Sequence, residues 1–336
     1  MNKCLVTKLN GSSNNSELLR LGEMRMKILK VQNPTDHTQG FSLGVNKPVT
    51  LEIVSDGYFT DKTLSENKGK RITLNAGINS VWVNGNNDIE IAILNKYSLT
   101  AITSSYQGEA SGVYGNNIKL NISDLKYSAA LTNLNLANTQ ISGNIGDLKT
   151  LTALTNLNFA NTQISGNIGD LKTLTALTNL SLYNTQISGN IGDLKTLTAL
   201  TYLNLYNAKI PLTGNISELS TLSKCTEMNF KYSKLIGDLA TLPASCRFAS
   251  FGTGKDSVFT WSNRLSTAKI IAIEGNASVT NIDKMLQDQA QCQVGFKSSD
   301  SAWYKTISVA GNRTSASDAA VSTLQSKGYT VSIISA

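Results

Sequence analysis

The sequence predicts a multidomain chain: an N-terminal all-β sandwich-like module, a solenoid of stacked coils with a parallel β-sheet, and an α/β strand-helix C-terminal cap. Three observations predict it. A 23-residue block recurs in near-identical copies at 131–153, 154–176 and 177–199. The stretch before it alternates apolar and polar residues with a period of two, and the stretch after it alternates strand-like runs with helix-like ones. The regions divide as 1–112, 113–244 and 245–336.

In the first region the alternation runs through Met24, Met26 and Ile28, through Val49, Leu51 and Ile53, through Val81 and Val83, and through Ile89, Ile91 and Ile93. Turn sequences such as Ser55-Asp56-Gly57 and Asn84-Gly85-Asn86-Asn87 separate these runs. Short strands without a helix read as an antiparallel sandwich or barrel-like module. Residues 10–16, rich in Asn and Ser, read as a loop.

The second region is the repeat. Its copies read LTNLNLANTQISGNIGDLKTLTA, LTNLNFANTQISGNIGDLKTLTA and LTNLSLYNTQISGNIGDLKTLTA, with looser copies at 200–224 and 225–244 and a partial one at 121–130. Leu131, Leu134, Leu136, Ile141, Ile145, Leu148 and Leu151 form the inward row of one coil. A single coil cannot bury that row, so coils must stack, with their strands parallel and about 4.8 Å apart. The pattern LxxLxLxxNxL with a variable second half resembles the leucine-rich repeat family. The tail ISGNIGDLKTL looks most like the subtype whose repeats carry LSGxIPxxLxxL. Thr139, Thr162 and Thr185 depart from it, standing where the family has asparagine, and their hydroxyls can still bond to the backbone of the turn.

The third region reads as a strand over 270–276, a helix over 281–290, a strand over 307–312, a helix over 317–327 and a strand over 329–334. Asp318 falls in the first turn of the second helix and Gly328 just past its end, where each is favoured. Trp261 and Trp303 are expected in the core of this region.

Charge and composition remove several functions. The formal charge is +7, but 12 positive and 10 negative residues fall in 1–113, 9 and 7 in 114–244, and 9 and 6 in 245–336. No region carries the basic face of a nucleic-acid binder. The one histidine, His37, reads as a solvated loop residue, and imidazole-dependent catalysis and histidine-rich zinc sites need more. No catalytic set, cofactor site or metal site is expected. Cysteines at 4, 225, 246 and 292 form no CxxC pair and read as buried thiols; pairing of Cys225 with Cys246 across neighbouring coils stays open. Thr7 and Lys8 break the first apolar run before it could form the core of a signal peptide, and no apolar window is long enough for a membrane helix.

Outward positions of the coil strands define the candidate surface. Successive copies present Thr132, Asn133, Asn135, Ala137 and Asn138, then Thr155, Asn156, Asn158, Ala160 and Asn161, then Thr178, Asn179, Ser181, Tyr183 and Asn184. Asn and Thr in the first coils read equally as solvated spacers copied by duplication. Further along the face turns aromatic, and the predicted ligand contacts are Tyr183, Asn184, Tyr202, Asn204, Tyr206, Asn207, Asn229, Lys231 and Tyr232. Asp147, Asp170 and Asp193 alternate with Lys149, Lys172 and Lys195 and read as a solvated charged row.

The segments KCLVTKLNGSSNNSELLRLGEMRMKI, GYFTDKTLSENKGK and DIEIAILNKYSLTAI are similar to N-terminal modules of structural proteins of tailed bacteriophages that infect gut Bacteroides-type bacteria, including crAss-like phages. That resemblance implies a non-enzymatic virion protein of tail, fibre or decoration type, made in the host cytoplasm without a signal peptide. Its first region would dock on other virion proteins, and its solenoid would contact a host surface glycan or protein. Neither nucleic-acid binding nor membrane insertion is implied, and homo-oligomerisation is left open. The alternatives are a bacterial surface adhesin of the leucine-rich repeat class and an intracellular interaction scaffold.

Overall fold

The computed structural model describes residues 26–31, 40–54, 58–60, 68–84, 89–93, 98–103, 118–206, 212–251 and 258–334. Each coil is built from the same parts. A three-residue strand such as Asn133–Asn135 buries its central Leu134 and turns both asparagines to the outer face. The inward row holds as the repeat predicted: Leu131, Leu134, Leu136, Ile141, Ile145, Leu148 and Leu151 are fully buried, and so are their counterparts in the next two coils. Thr139, Thr162 and Thr185 are buried too. Each donates its hydroxyl at 2.6 Å to the carbonyl three residues back, on Leu136, Phe159 and Leu182, so threonine satisfies the turn from within.

The invariant ISGNIG tail is structural throughout. Asn144, Asn167 and Asn190 each accept the N–H of the glycine two residues on, at 2.8 Å, and so cap a 3₁₀ turn. Gly166 sits at φ 116°, and a Cβ there would meet Asn144 Oδ1 of the preceding coil at 2.5 Å. Only glycine fits that crossing.

Stacking generates two sheets. Along the first, Asn133, Asn156, Asn179, Tyr202, Glu227, Phe248 and Ala272 stand in parallel register. A second sheet on the other side of each coil pairs Ser142–Asn144, Gln163–Asn167 and Gln186–Ser188, and an isolated bridge from Asn190 to Thr213 carries the pairing on to Thr213–Asn215, Lys234–Asp238 and Val258–Thr260. The strand Ala272–Val279 joins the two. Its beginning pairs with Phe248–Ser250 and its end with Val258–Thr260.

Both ends of the array continue its first sheet. On the N-terminal side Asn133–Asn135 pairs in parallel with Leu99–Thr103, which pairs antiparallel with Gly40–Val45. Next come Gly77–Asn84 and Tyr58–Thr60. A separate antiparallel sheet holds Arg71–Leu74, Val49–Ile53, Ile89–Ile93, Met26–Val31 and Ile118–Lys119. Pairing therefore runs across residue 112. On the C-terminal side Thr306–Ala310 and Thr330–Ile334 extend the sheet in parallel, with helices Ile282–Gln291 and Asp318–Ser326 between strands. One hydrophobic cluster runs from Leu43 to Tyr329.

Trp261 is 2% exposed and its indole donates to Asp288, as a core residue should. Trp303 corrects the reading: it is 64% exposed, because the 3₁₀ turn Ala302–Lys305 turns the next residue, Tyr304, onto the protein instead. Cys225 and Cys246 replace leucine in the inward row of successive coils and are buried and unbridged. Each thiol faces a carbonyl of its own strand, on Glu227 and Phe248, and burial pushes Cys246 up to about 11. Cys4 and His37 lie outside the described residues.

Candidate ligand-binding face

The outer side of the first sheet is a set of registered columns. The central one runs Asn135, Asn158, Ser181, Asn204, Asn229, Ser250 and Glu274. Its asparagines close their own turns: Asn158 Oδ1 accepts from the N–H of Ala160 at 3.1 Å, Asn204 from Tyr206 at 3.1 Å and Asn229 from Lys231 at 3.3 Å. Because the amide oxygen is held by the turn, its orientation is fixed and the NH₂ group points away from it.

Beside this column the chain turns through residues in the left-handed region. Asn138, Asn161 and Asn184 hold φ of 57°, 56° and 53°, a conformation asparagine tolerates. They also form a chain between coils, with Asn161 Nδ2 donating to Asn138 Oδ1 at 2.7 Å and Asn184 Nδ2 to Asn161 Oδ1 at 2.9 Å. Asn184, predicted as a ligand contact, is thus tied into the turn ladder. Tyr183 leans on the same ladder, its hydroxyl accepting from Asn161 at 2.8 Å.

Three of the four predicted tyrosines come together. The Tyr206 ring lies between Tyr183, at 6.4 Å centroid to centroid, and Tyr232, at 5.6 Å, with ring planes tilted by 56° and 53°. The Lys231 ammonium sits 6.0 Å from the Tyr206 ring centre. Tyr232 is 49% exposed. Across the central column, Tyr202 accepts from Asn204 Nδ2 at 3.1 Å, and burial raises its hydroxyl above the ordinary tyrosine value. Asn207 lies outside the described residues.

Beyond the tyrosines stands a charged wall that the sequence reading missed. Arg247 donates to Glu227 and to Asp300, each at 2.5 Å, and its guanidinium lies 4.6 Å from the Tyr304 ring centre. Tyr304 donates its hydroxyl to the other oxygen of Glu227 at 2.8 Å. Burial, and then this bond to Glu227, raises the Tyr304 hydroxyl, so it stays protonated far above neutrality. Nearby, Lys231 pairs with Glu274 at 3.5 Å, and Ser250 donates to the second Glu274 oxygen at 2.9 Å. The charges on this face therefore pair with one another. No local motif marks this wall, because Tyr304 and Glu227 are 77 residues apart in sequence.

A cavity of about 610 Å³ lies over the 3₁₀ turns, lined by Lys126, Tyr127, Asp147, Lys149 and Asp170. Its lysine and aspartate recur in each regular coil, and Lys195 lies 3.9 Å from Glu218 in the same row. Among the described residues no three His, Cys, Asp or Glu side chains gather as a metal site, and no helix is long and apolar enough to cross a membrane.

No family model matches the chain, and no curated protein matches it. Solved structures to which it is similar include leucine-rich repeat proteins. The leucine-rich repeat ectodomain of the plant membrane receptor kinase GASSHO1/SCHENGEN3 from Arabidopsis thaliana is 19% identical, with a TM-score of 0.40, over 51% of this chain and 24% of that one. A TDR receptor is 15% identical, with a TM-score of 0.46, over 65% and 37%. An internalin from Listeria monocytogenes is 18% identical, with a TM-score of 0.39, over 71% and 74%. The chain thus spans well under half the length of the two receptors.

Proposed function

We propose that this chain is a non-enzymatic recognition protein that binds its ligand on the outer face of its first sheet, at the tyrosine-bearing end. One observation carries the reading. Along a single register the inward residues stay leucine-like, while the outward ones change from Asn and Ala to Tyr, Lys and Glu. A sheet face that gains tyrosine and charged side chains over an unchanged apolar interior has the composition of a contact surface. Tyrosine and arginine are the residues on which binding energy concentrates.

The finer assignment is a virion protein of tail, fibre or decoration type. Its first-region strands would form the docking sandwich and its strand-helix units the cap of the array. The resemblance of its N-terminal segments to phage structural modules supports this reading. The test uses labelled full-length protein on gut Bacteroides-type cells. Alanine at Tyr183, Tyr202, Tyr206 and Tyr232 together should abolish binding, and unchanged binding would refute the site. Detection in purified phage particles supports the virion role; recovery from bacterial envelopes favours the surface adhesin.

A further inference from the structure

Tyr232 is anomalous. It follows Lys231 at the turn where Asn138, Asn161 and Asn184 close the regular coils, and it adopts the same left-handed backbone, φ 70°. A bulky side chain is disfavoured there, whereas asparagine is tolerated. Nothing in the core repays the exchange, because the ring is half exposed and rests on Tyr206. The strain is local, and what it produces is an aromatic surface at the rim of the amide column.

The surroundings define what such a surface can hold. Arg247 is taken up by Glu227 and Asp300, and Lys231 by Glu274, so these charges of the wall, among the described residues, are already paired with one another. The column beside it offers an oriented amide donor on Asn229, whose oxygen is already held by a turn, while the amide of Asn204 one strand back is taken by Tyr202. Between these columns the first sheet is hydrogen-bonded strand to strand, so a peptide cannot add to it as a further strand across this face.

We infer, building on the recognition role above, that this end binds a neutral oligosaccharide. Its sugar faces pack on Tyr206 and Tyr232, and a hydroxyl oxygen accepts from the Asn229 amide. Amide donors suit hydroxyl oxygens, and a tilted aromatic pair suits the apolar face of a sugar ring. The strained Tyr232 is kept for that contact.

The experiment places full-length protein on an array of neutral, sialylated and sulfated oligosaccharides, and follows thermal unfolding alongside. Retention on neutral glycans is expected, with Tyr206→Ala and Tyr232→Asn each lowering affinity about tenfold or more. Tyr232→Asn restores the residue of the regular coils, so it should also raise Tm by roughly 2 °C while it weakens binding. These opposite signs separate a contact residue from a structural one. Retention confined to acidic glycans, no retention on the array, or unchanged affinity in Tyr232→Asn overturns the inference. Cell binding that is lost in the four-alanine variant and destroyed by protease but not by periodate overturns the oligosaccharide while leaving the recognition role intact.

Discussion

The regular coils at 131–199 and the tyrosine-bearing end at 200–274 share one backbone and one kind of interior, yet they differ wherever they face outward. In the regular coils the repeated polar residues answer to the backbone: Asn144 caps a 3₁₀ turn, Asn138 holds a left-handed turn and Thr139 ties down a carbonyl. At the other end the same turn position carries Tyr232. Repetition therefore marks what the coil requires, and the departure from it on the outer face is where the proposed contact lies. Asparagine in a regular coil is a poor indicator of binding for this reason.

The comparison can be tested by perturbing matched positions. The interiors should respond alike: Leu180→Ala and Leu203→Ala are fully buried in adjacent coils, and each should cost roughly 3 kcal/mol in chemical denaturation. A second unfolding transition seen in one variant and not the other would show that the two regions fold separately. Backbone positions come next. Gly166→Ala combines a φ of 116° with a blocked crossing and should cost about 2 kcal/mol by the same measurement. Asn167→Ala removes a turn cap and should cost about 1 kcal/mol. The smallest effect is expected on the outer face. Tyr206→Ala should change stability by no more than about 0.5 kcal/mol, despite its large effect on binding. A loss matching the core substitutions would make Tyr206 part of the scaffold and weaken the contrast between the two regions.

Much of this was legible in the sequence. Seven inward positions per coil, the parallel stacking and the strand-helix order of the last region all follow from period and pattern, because each depends on neighbours within one coil or one element. The neighbourhood of Tyr183, Tyr206 and Lys231 was legible for the same reason, since register places these equivalent positions side by side, whereas Tyr232 joins them from the next position along the coil. The wall of Arg247, Tyr304 and Asp300 was not. Its members come from different units and meet only because the segment after helix Ile282–Gln291, ending in the 3₁₀ turn Ala302–Lys305, returns beside Arg247 and Glu227. Trp303 was misread because a tryptophan in a short 3₁₀ turn has no periodicity to reveal its side. The left-handed turn of Tyr232 was hidden too, since tyrosine gives no local signal for that conformation.

The interchangeability of the three regular coils has a dimensional consequence. Excising 154–176 would bring the coil of Tyr183 onto that of Asn138, which could take over the bond now made by Asn161. Each such excision or insertion shifts the aromatic end by one rung, about 4.8 Å, without altering any interface in kind. The distance between the two extremities is thus quantised, and unequal crossing-over between the duplicated segments is enough to reset it.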